Sequence, residues 1–242
     1  QREHRHPGTA APAPRAGAGP LTPLTDRPLA APAATAARKS VAPARACLDT
    51  RAMGREPGAT RAVILVEGLS DCRALETLAR RRGRDLPSEG VWVVPMGGAT
   101  NVGRFLERFG PHGLDLRLAG LCDAAEQHHF LRGLERAGFG RGLTRGDMED
   151  LGFHVCERDL EDELIRALGA PRVVQVVAEA GELRSFLALQ NQPAQRGRSV
   201  EQQLHRFMGT RSGRKSRYAR LLVDALAPTG APAPLERVLD DV

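Results

Sequence analysis

The most constraining feature of this sequence is an alternation of short apolar runs with amphipathic stretches that begins at residue 62. Residues 62–66 (AVILV) are continuously apolar, as in a strand buried on both faces of a parallel sheet. Further strands are predicted at 91–95, 116–123 and 152–159, and a helical pattern follows each one. This alternation predicts an α/β fold with a mostly parallel four-stranded sheet flanked by helices.

The helical patterns divide the chain into a core and an extension. The first helix is predicted to begin after Ser70, placed as its N-cap, and to end at Gly83. Others are predicted at 101–109, 125–137 and 160–169, which completes a core spanning 61–170. Residues 171–242 show helical patterns only, near 181–189, 199–208, 214–226 and 234–241, and are predicted to form a helical C-terminal extension.

Residues 1–60 differ in composition from the rest of the chain. They hold nine of the 17 prolines and few large apolar side chains, so burial cannot offset the entropy of ordering them. We therefore predict a disordered Ala/Pro/Arg-rich tail at 1–60. Its basic charge could help to hold nucleic acid, although a plain solvated tail is the favoured explanation of the composition.

Several classes of protein are disfavoured by what the sequence lacks. It has no run of 18 apolar residues, so no membrane span is predicted, and its N-terminus has no signal-peptide pattern. The four cysteines are scattered and form no CxxC pair, which indicates neither a zinc site nor a disulfide framework. These features predict a cytoplasmic protein.

The net charge of +6 is unevenly distributed. Residues 61–189 contain 17 basic and 20 acidic side chains, whereas residues 190–221 contain eight basic side chains and one acidic side chain, Glu201. An acidic centre beside a basic segment is typical of a site that holds cations and receives a polyanion.

Carboxylates follow three of the four predicted strands. Ligands of open parallel sheets bind beyond the carboxyl ends of the strands, and parallel strands bring those ends to one edge. Crowded carboxylates need cations, and oxygen ligands favour a hard ion, so we predict a site for Mg²⁺ or Mn²⁺, with two ions. The acidic residues that the pattern itself places at this edge are Glu67, Asp71, Asp123, Asp159, Glu161, Asp162 and Glu163. Of the last four, the resemblance described below selects Asp159, Glu161 and Glu163 as predicted metal ligands.

Each of these residues also has an ordinary structural explanation. Glu67 could be a solvated residue at a sheet edge, Asp71 a favourable charge at a helix N-terminus, and Asp123 an N-cap. The acidic group at 159–163 could be first-turn charge that offsets the dipole of the next helix. The pair Gly97-Gly98 after the second strand could be only a turn, or could leave space for a substrate. Their convergence at one predicted edge favours the functional interpretation.

The motifs resemble a known family. E-G-x-x-D after a hydrophobic strand, PMGGATNVGRF, LAGLCDAAE and DLEDELIRALG are similar to a Toprim domain, most of all to the OLD type (overcoming lysogenisation defect), over about residues 61–226. The resemblance implies that Glu67 is a metal ligand or general acid/base and that Asp71 and Asp123 are acidic motif residues. The second Asp of the family's D-x-D is replaced by Ala125, and Glu126 is the nearest carboxylate that could act instead.

The resemblance also extends to the basic segment. GRKSRYARLL (213–222) is similar to a K-x-x-x-A helix of OLD-type Toprim regions, which implies that Lys215 stabilises charge on a phosphate. Arg196, Arg198, Arg211, Arg214 and Arg217 would then contact the nucleic-acid backbone, together with the Gly97-Gly98 loop. For Lys215 and the arginines, a plain exposed surface is the alternative.

The function implied is an OLD-type endonuclease that hydrolyses phosphodiester bonds in DNA with Mg²⁺ or Mn²⁺. The alternative is a non-catalytic nucleic-acid-binding or regulatory module, which the Ala125 departure favours. OLD-type nucleases usually carry an ATPase domain, but these 242 residues contain no G-x-x-x-x-G-K-[ST] loop. We therefore expect either a Toprim domain that acts alone or one that works with a separate ATPase or helicase subunit.

Overall fold

A computed structural model of the chain describes residues 60–242. The predicted disordered tail lies, except for residue 60, outside the described residues. Four strands form one parallel sheet within the described part: β1 (Ala62–Val66), β2 (Val91–Pro95), β3 (Arg117–Asp123) and β4 (Phe153–Cys156). Their order across the sheet is β2-β1-β3-β4, and every neighbouring pair is parallel. The predicted α/β fold is therefore confirmed.

Ten α-helices accompany the sheet in residues 60–242. Those that lie between or directly after the strands are α1 (Leu69–Arg81), α2 (Val102–Phe109), α3 (Gln127–Arg136), α4 (Arg145–Asp150) and α5 (Leu160–Leu168). The remaining helices are α6 (Ala170–Glu179), α7 (Leu183–Gln190), α8 (Val200–Met208), α9 (Arg214–Ala225) and α10 (Ala233–Asp240). None of them is long and apolar enough to cross a membrane.

The apolar run of β1 is explained by burial on both faces of the sheet. Ala62, Ile64 and Val66 belong to one buried cluster, and Val63 and Leu65 belong to another. Successive side chains of a strand point to opposite faces, so a strand covered on both sides must be apolar throughout. Helices α2, α3 and α4 cover one face, whereas α1 and α5 to α10 contribute to the cluster on the other.

The helices after residue 170 share a core with the sheet. Val173, Phe207, Tyr218 and Leu239, from four of these helices, are buried in the same cluster as Ile64 of the central strand. Helix α9 packs against α1, the helix that follows β1. This packing brings the C-terminal helices close to the strand ends. The division into 61–170 and 171–242 stays a prediction.

Several element boundaries differ from the predictions. Helix α1 begins at Leu69 with Gly68, not Ser70, as its N-cap, because the Asp71 carboxylate accepts a hydrogen bond from the Gly68 N–H at 2.9 Å. Strand β4 ends at Cys156 rather than at residue 159. Helices α4 and α6 had no counterpart in the prediction.

One glycine is required by close packing in the sheet. A Cβ atom added to Gly120 of β3 would lie 2.4 Å from Cδ1 of Phe153, the residue that is its partner on β4. Phe153 itself is fully buried. The glycine therefore lets a large aromatic side chain fill the space over β3, next to the end of the strand that carries Asp123.

Candidate metal centre

Glu67 lies directly after the central strand β1, at the carboxyl edge of the sheet. Its backbone carbonyl accepts hydrogen bonds of 3.1 Å from the N–H groups of both Gly97 and Gly98. Both glycines have positive φ, 73° and 122°, which other residues rarely adopt. The Gly-rich loop is thus held against the strand end by its backbone, and its two glycines add no side chain at this edge.

Burial and neighbouring charge act on the Glu67 side chain. The pKa of Glu67 is raised above its ordinary value, first by burial and then by the carboxylate of Glu126. The Lys215 ammonium opposes this rise, and Glu161 adds to it. Glu67 therefore shares its surroundings with residues that lie 59, 94 and 148 positions later in the chain.

Asp71 and Asp123 complete the central part of the site. Asp71 is buried in the first turn of α1, and desolvation raises its pKa to about 6. Asp123 ends β3, and burial, followed by the charges of Asp71 and Glu67, raises its pKa to about 8. A carboxyl group whose pKa is this high holds its proton near neutral pH unless a cation is supplied.

Asp159 is the N-cap of α5. One of its oxygens accepts from the Asp162 N–H at 2.9 Å, and the other lies 2.5 Å from Nε2 of His205 on α8. Burial raises the pKa of Asp159, but these hydrogen bonds outweigh it, so the pKa lies below its ordinary value. Asp159 therefore stays ionised beside carboxyl groups whose pKa is raised.

Glu161 lies in the first turn of α5 and is only 3 % exposed. Its Oε2 accepts a hydrogen bond of 3.1 Å from Nζ of Lys215. Its Oε1 is buried and has no hydrogen-bond partner. Leaving a buried oxygen of a carboxylate unpaired is costly, so this atom is a candidate ligand atom for a cation.

Five of the predicted ligands therefore form one group, which we call the carboxylate cluster: Glu67, Asp71, Asp123, Asp159 and Glu161. The charges of the other four all contribute to the raised pKa of Asp123. Lys215 is the basic residue of this group. Although burial works against its charge, Glu161, Asp159 and Asp123 hold the pKa of Lys215 above its usual value.

The other two predicted ligands, Glu126 and Glu163, are not part of the carboxylate cluster. Glu126 is close enough to raise the pKa of Glu67, and its Oε2 lies 3.4 Å from Nε2 of His129. Glu163 is buried, but its Oε1 accepts from the Glu157 N–H at 2.8 Å and pairs with Arg166 at 2.7 Å. These contacts occupy Glu163 in holding the β4–α5 loop, and nothing in them points to a shared ion.

The arginines that were predicted to bind nucleic acid differ in their exposure to solvent. Arg211 is exposed, and Arg217 is half exposed with Glu182 at 3.5 Å. Arg214, by contrast, is 5 % exposed, stacks on the Phe207 ring at 4.0 Å and pairs with Glu182 at 3.1 Å. A buried and paired guanidinium is not accessible to a phosphate, so we assign Arg214 to the core of the α7–α9 region.

His205 is the site residue that the sequence interpretation missed. One donor atom each from Asp159, Glu161 and His205 lie within 4.8 Å of one another, a spacing that would suit a shared ion. His205 follows Asp159 by 46 residues on a helix whose pattern gives no sign of function. Only the packing of α8 beside the start of α5 reveals it.

The donor set fits a divalent cation. Carboxylate oxygens predominate, as Mg²⁺ and Mn²⁺ prefer, and an imidazole at the border suits Mn²⁺ better than Mg²⁺. The unpartnered Oε1 of Glu161 and the raised pKa values of Asp71 and Asp123 both indicate uncompensated negative charge. A cation bound there would remove both penalties at once.

A parallel α/β sheet with carboxylates gathered at its carboxyl edge, beside a Gly-rich loop, defines a domain of the Toprim class. Residues 60–124 match the family described as overcoming lysogenization defect protein-like, TOPRIM domain. This segment contains Glu67, Asp71, Gly97, Gly98 and Asp123. The resemblance inferred from the motifs is therefore confirmed, and residues 60–124 are the part of the chain that is similar to an OLD-like Toprim domain.

Solved structures agree with this assignment. The C-terminal region of the Xanthomonas campestris pv. campestris OLD protein matches 76% of this chain and 92% of its own length, at 26% identity and a TM-score of 0.58. The C-terminal region of the Burkholderia pseudomallei OLD protein matches 75% of this chain and 96% of its own, at 24% identity and a TM-score of 0.55, which supports the fold alone. A comparison with curated proteins finds no match.

Proposed function

We propose that this protein is a nuclease that hydrolyses phosphodiester bonds in DNA with Mg²⁺ or Mn²⁺ held by the carboxylate cluster. The observation that carries the proposal is the Oε1 atom of Glu161, a buried carboxylate oxygen without a hydrogen-bond partner, in the midst of four other carboxylates. An OLD-like Toprim domain over residues 60–124 supports a role in nucleic-acid chemistry.

The residues have distinct roles in this proposal. Glu67, Asp71, Asp123, Asp159 and Glu161 would hold the cations, and the cations would supply Lewis acidity and an activated water. Lys215, whose ammonium already contacts Glu161, would face the charge that develops on the phosphate. The Gly97-Gly98 loop would leave room for the backbone of the substrate.

We propose two ions rather than one because the carboxylates span more than one group of donors. Asp159 and Glu161 lie with His205 on the α5–α8 side. Glu67 lies with Glu126 on the β1–β3 side, and Glu126 would serve at the position where the family's second Asp is replaced by Ala125. Glu163, which is occupied by Arg166, is not part of either group in this proposal.

A second candidate function is a non-catalytic module that binds nucleic acid. Ala125 removes one carboxylate from the family's pattern, and the nearest one, Glu126, is engaged by His129 at 3.4 Å. In either case we propose that the protein acts in the cytoplasm, alone or with a separate ATPase or helicase subunit. Copurification from cells that express the tagged chain would test that partner.

The test is nicking of supercoiled plasmid by the purified protein with Mg²⁺ or Mn²⁺. We expect Glu67→Gln and Asp123→Asn to lower the rate by more than about 100-fold, because even outer-shell changes at metal sites cost 10- to 100-fold. Asp162→Asn is the matched control, since this α5 side chain pairs with Arg166 outside the cluster.

The outcomes separate the two functions. Nicking that needs a divalent ion, fails in both cluster variants and persists in Asp162→Asn supports the nuclease. Binding of DNA with no cleavage under either ion, equal in the wild type and the cluster variants, would reject the nuclease and favour the binding module.

A further inference from the structure

A depression beside the carboxylate cluster is lined by basic and polar side chains. It lies between the start of α5 and helix α8, and its lining residues are Arg158, Arg198, Gln202, His205 and Arg206. None of these is a carboxylate. Arg198 and Arg206 are exposed, and within residues 60–242 no acidic side chain pairs with either of them. Arg158 is 57 % exposed and reaches Asp162 only at 4.0 Å.

The depression is continuous with the candidate metal centre. His205 lines the depression, and its Nε2 lies 2.5 Å from Asp159 of the carboxylate cluster. Arg158 precedes Asp159 directly in the chain. A ligand that occupies the depression therefore lies one side chain away from the groups that would hold the cations.

A second depression serves for comparison, because its arginines are paired with acidic side chains. It is lined in part by Arg172 and Arg220, together with Glu179 and Asp224. Arg172 pairs with Glu179 at 3.2 Å, and Arg220 with Asp224 at 3.5 Å. Paired charges of this kind contribute little to the attraction of a polyanion.

Arginines without an acidic partner occur beside the cluster, in the segment that carries α8. From Arg184 to Arg211 the chain has five arginines and one carboxylate, Glu201, and none of the five forms an ion pair with an acidic residue of the described part. A cluster of carboxylates repels phosphates, so a polyanionic substrate needs positive charge close by to approach it. Arg198 and Arg206 supply that charge next to Asp159.

We propose that the depression lined by Arg158, Arg198, Gln202, His205 and Arg206 binds the sugar-phosphate backbone of a nucleic acid and leads it to the carboxylate cluster. Arg198 and Arg206 contact phosphates, and Arg158 assists at the border of the site. No aromatic side chain apart from the His205 imidazole lines the surface, so it contacts the backbone and not the bases. The delivery of the backbone to the carboxylate cluster rests on the proposed function, whereas the binding of the backbone in the depression does not.

The experiment measures binding of a fluorescent DNA duplex, without divalent ions, at several salt concentrations. We expect Arg198→Ala/Arg206→Ala to weaken binding and to reduce the slope of log K against log salt by about 2, or about 1 for each phosphate that is no longer neutralised. The matched control is Arg172→Ala/Arg220→Ala, which removes the same number of arginines from the depression in which they are paired with acidic residues. Its slope should equal that of the wild type.

Other outcomes would overturn the proposal. An unchanged slope in Arg198→Ala/Arg206→Ala, an equal weakening in both double variants, or no salt-dependent binding by the wild type would each reject it. Circular dichroism and thermal melting of both variants exclude unfolding as the cause. If the slope changed in Arg198→Ala/Arg206→Ala but the wild type did not cleave DNA, the nuclease would be rejected and the backbone-binding surface kept. The two proposals therefore fail separately.

Discussion

Two regions of this protein contain an aspartate–histidine pair, and their surroundings are opposite. In the carboxylate cluster, Asp159 contacts His205 among four further carboxylates, with Lys215 as the counter-charge. At the other region, which we call the β4–α10 network, Asp241 contacts His154 at 2.6 Å beside a set of matched ion pairs. These pairs join Glu149 to Arg145 and Arg237, and Glu163 to Arg166.

The two regions differ in how their charges are balanced. In the network, the hydrogen bond from Arg145 lowers the pKa of Glu149, as expected for a satisfied carboxylate. In the cluster, burial and mutual repulsion raise the pKa of Glu67, Asp71 and Asp123. Repulsion of this kind lowers stability, so it indicates a requirement that folding alone does not impose. The paired charges of the network stabilise the fold, whereas the repulsion within the cluster opposes it.

The largest expected effect concerns Asp123 in the metal-free protein. Its pKa of about 8, against an ordinary 3.8, means that the folded state binds the proton more tightly than the unfolded state. The stability from this group is full below pH 4 and is lost as the pH rises to 8. We expect Asp123→Asn to stabilise the protein at pH 8 by roughly 3 kcal/mol, below the full shift because the cluster can relax and take up water.

Thermal melting in EDTA between pH 5 and 9 measures this effect. The difference in stability between Asp123→Asn and the wild type should grow with pH and level off above about pH 8. Asp147→Asn is a suitable control, because hydrogen bonds from Thr144 lower the pKa of this exposed residue. If Asp123→Asn gave no gain at pH 8, the repulsion inferred for the cluster would be contradicted.

The second prediction compares two glutamates on one helix. Glu161 and Glu163 are both buried near the start of α5, but only Glu161 has an unpartnered oxygen. A bound ion stabilises a protein by about 2.7 kcal/mol at 100 times its Kd. We expect Mn²⁺ to raise the melting temperature of the wild type and of Glu163→Gln, and to have no such effect on Glu161→Gln. Equal Mn²⁺ responses in all three proteins would remove Glu161 from the site.

The third prediction concerns the metal-free protein, in which we expect Glu163 rather than Glu161 to contribute to stability. Glu163→Gln weakens the ion pair with Arg166 and the hydrogen bond to the Glu157 N–H, so it should destabilise the metal-free protein. Hydrogen bonds to charged groups contribute about 1.5–3 kcal/mol, and we expect the lower end because Arg166 is 45 % exposed. Urea unfolding in EDTA measures the change. Unchanged stability would mean that Glu163 is free for another role.

The sequence predicted the sheet because its signals are local. A continuous apolar run such as 62–66 has few folded environments, and the carboxylates that follow each strand meet at one edge by the geometry of parallel strands. Helices α4 and α6 were missed because α4 has only six residues and α6 follows α5 with no more than Gly169 between them. The N-cap at Gly68 was missed because Gly68 has no side chain to cap the helix, and its own N–H donates to the Asp71 carboxylate three residues later.

At the candidate site, the contacts of individual side chains could not be predicted from the sequence. Glu163 and Arg214 had the same appearance in the sequence as Glu161 and Lys215, their neighbours on α5 and α9. Helical rotation directs Glu163 toward Arg166 and Arg214 toward Glu182, whereas Glu161 and Lys215 meet each other. His205 reaches Asp159 only because α8 packs against α5. Such contacts depend on the packing of helices, which no short motif specifies.

The smallest expected effect tests the two aspartate–histidine pairs directly. Asp241→Asn leaves His154 a neutral partner at a site where Asp241 is 38 % exposed, so it should cost about 1 kcal/mol, equally with and without Mn²⁺. Asp159→Asn keeps the N-cap of α5, because Asn caps helices as well as Asp does. It weakens the contact with His205 but also relieves the repulsion of Asp123, so metal-free stability should change little. Its effect should appear as a smaller melting shift with Mn²⁺. If the Mn²⁺ shift depended on Asp241 instead, the ion would lie in the β4–α10 network and not in the cluster.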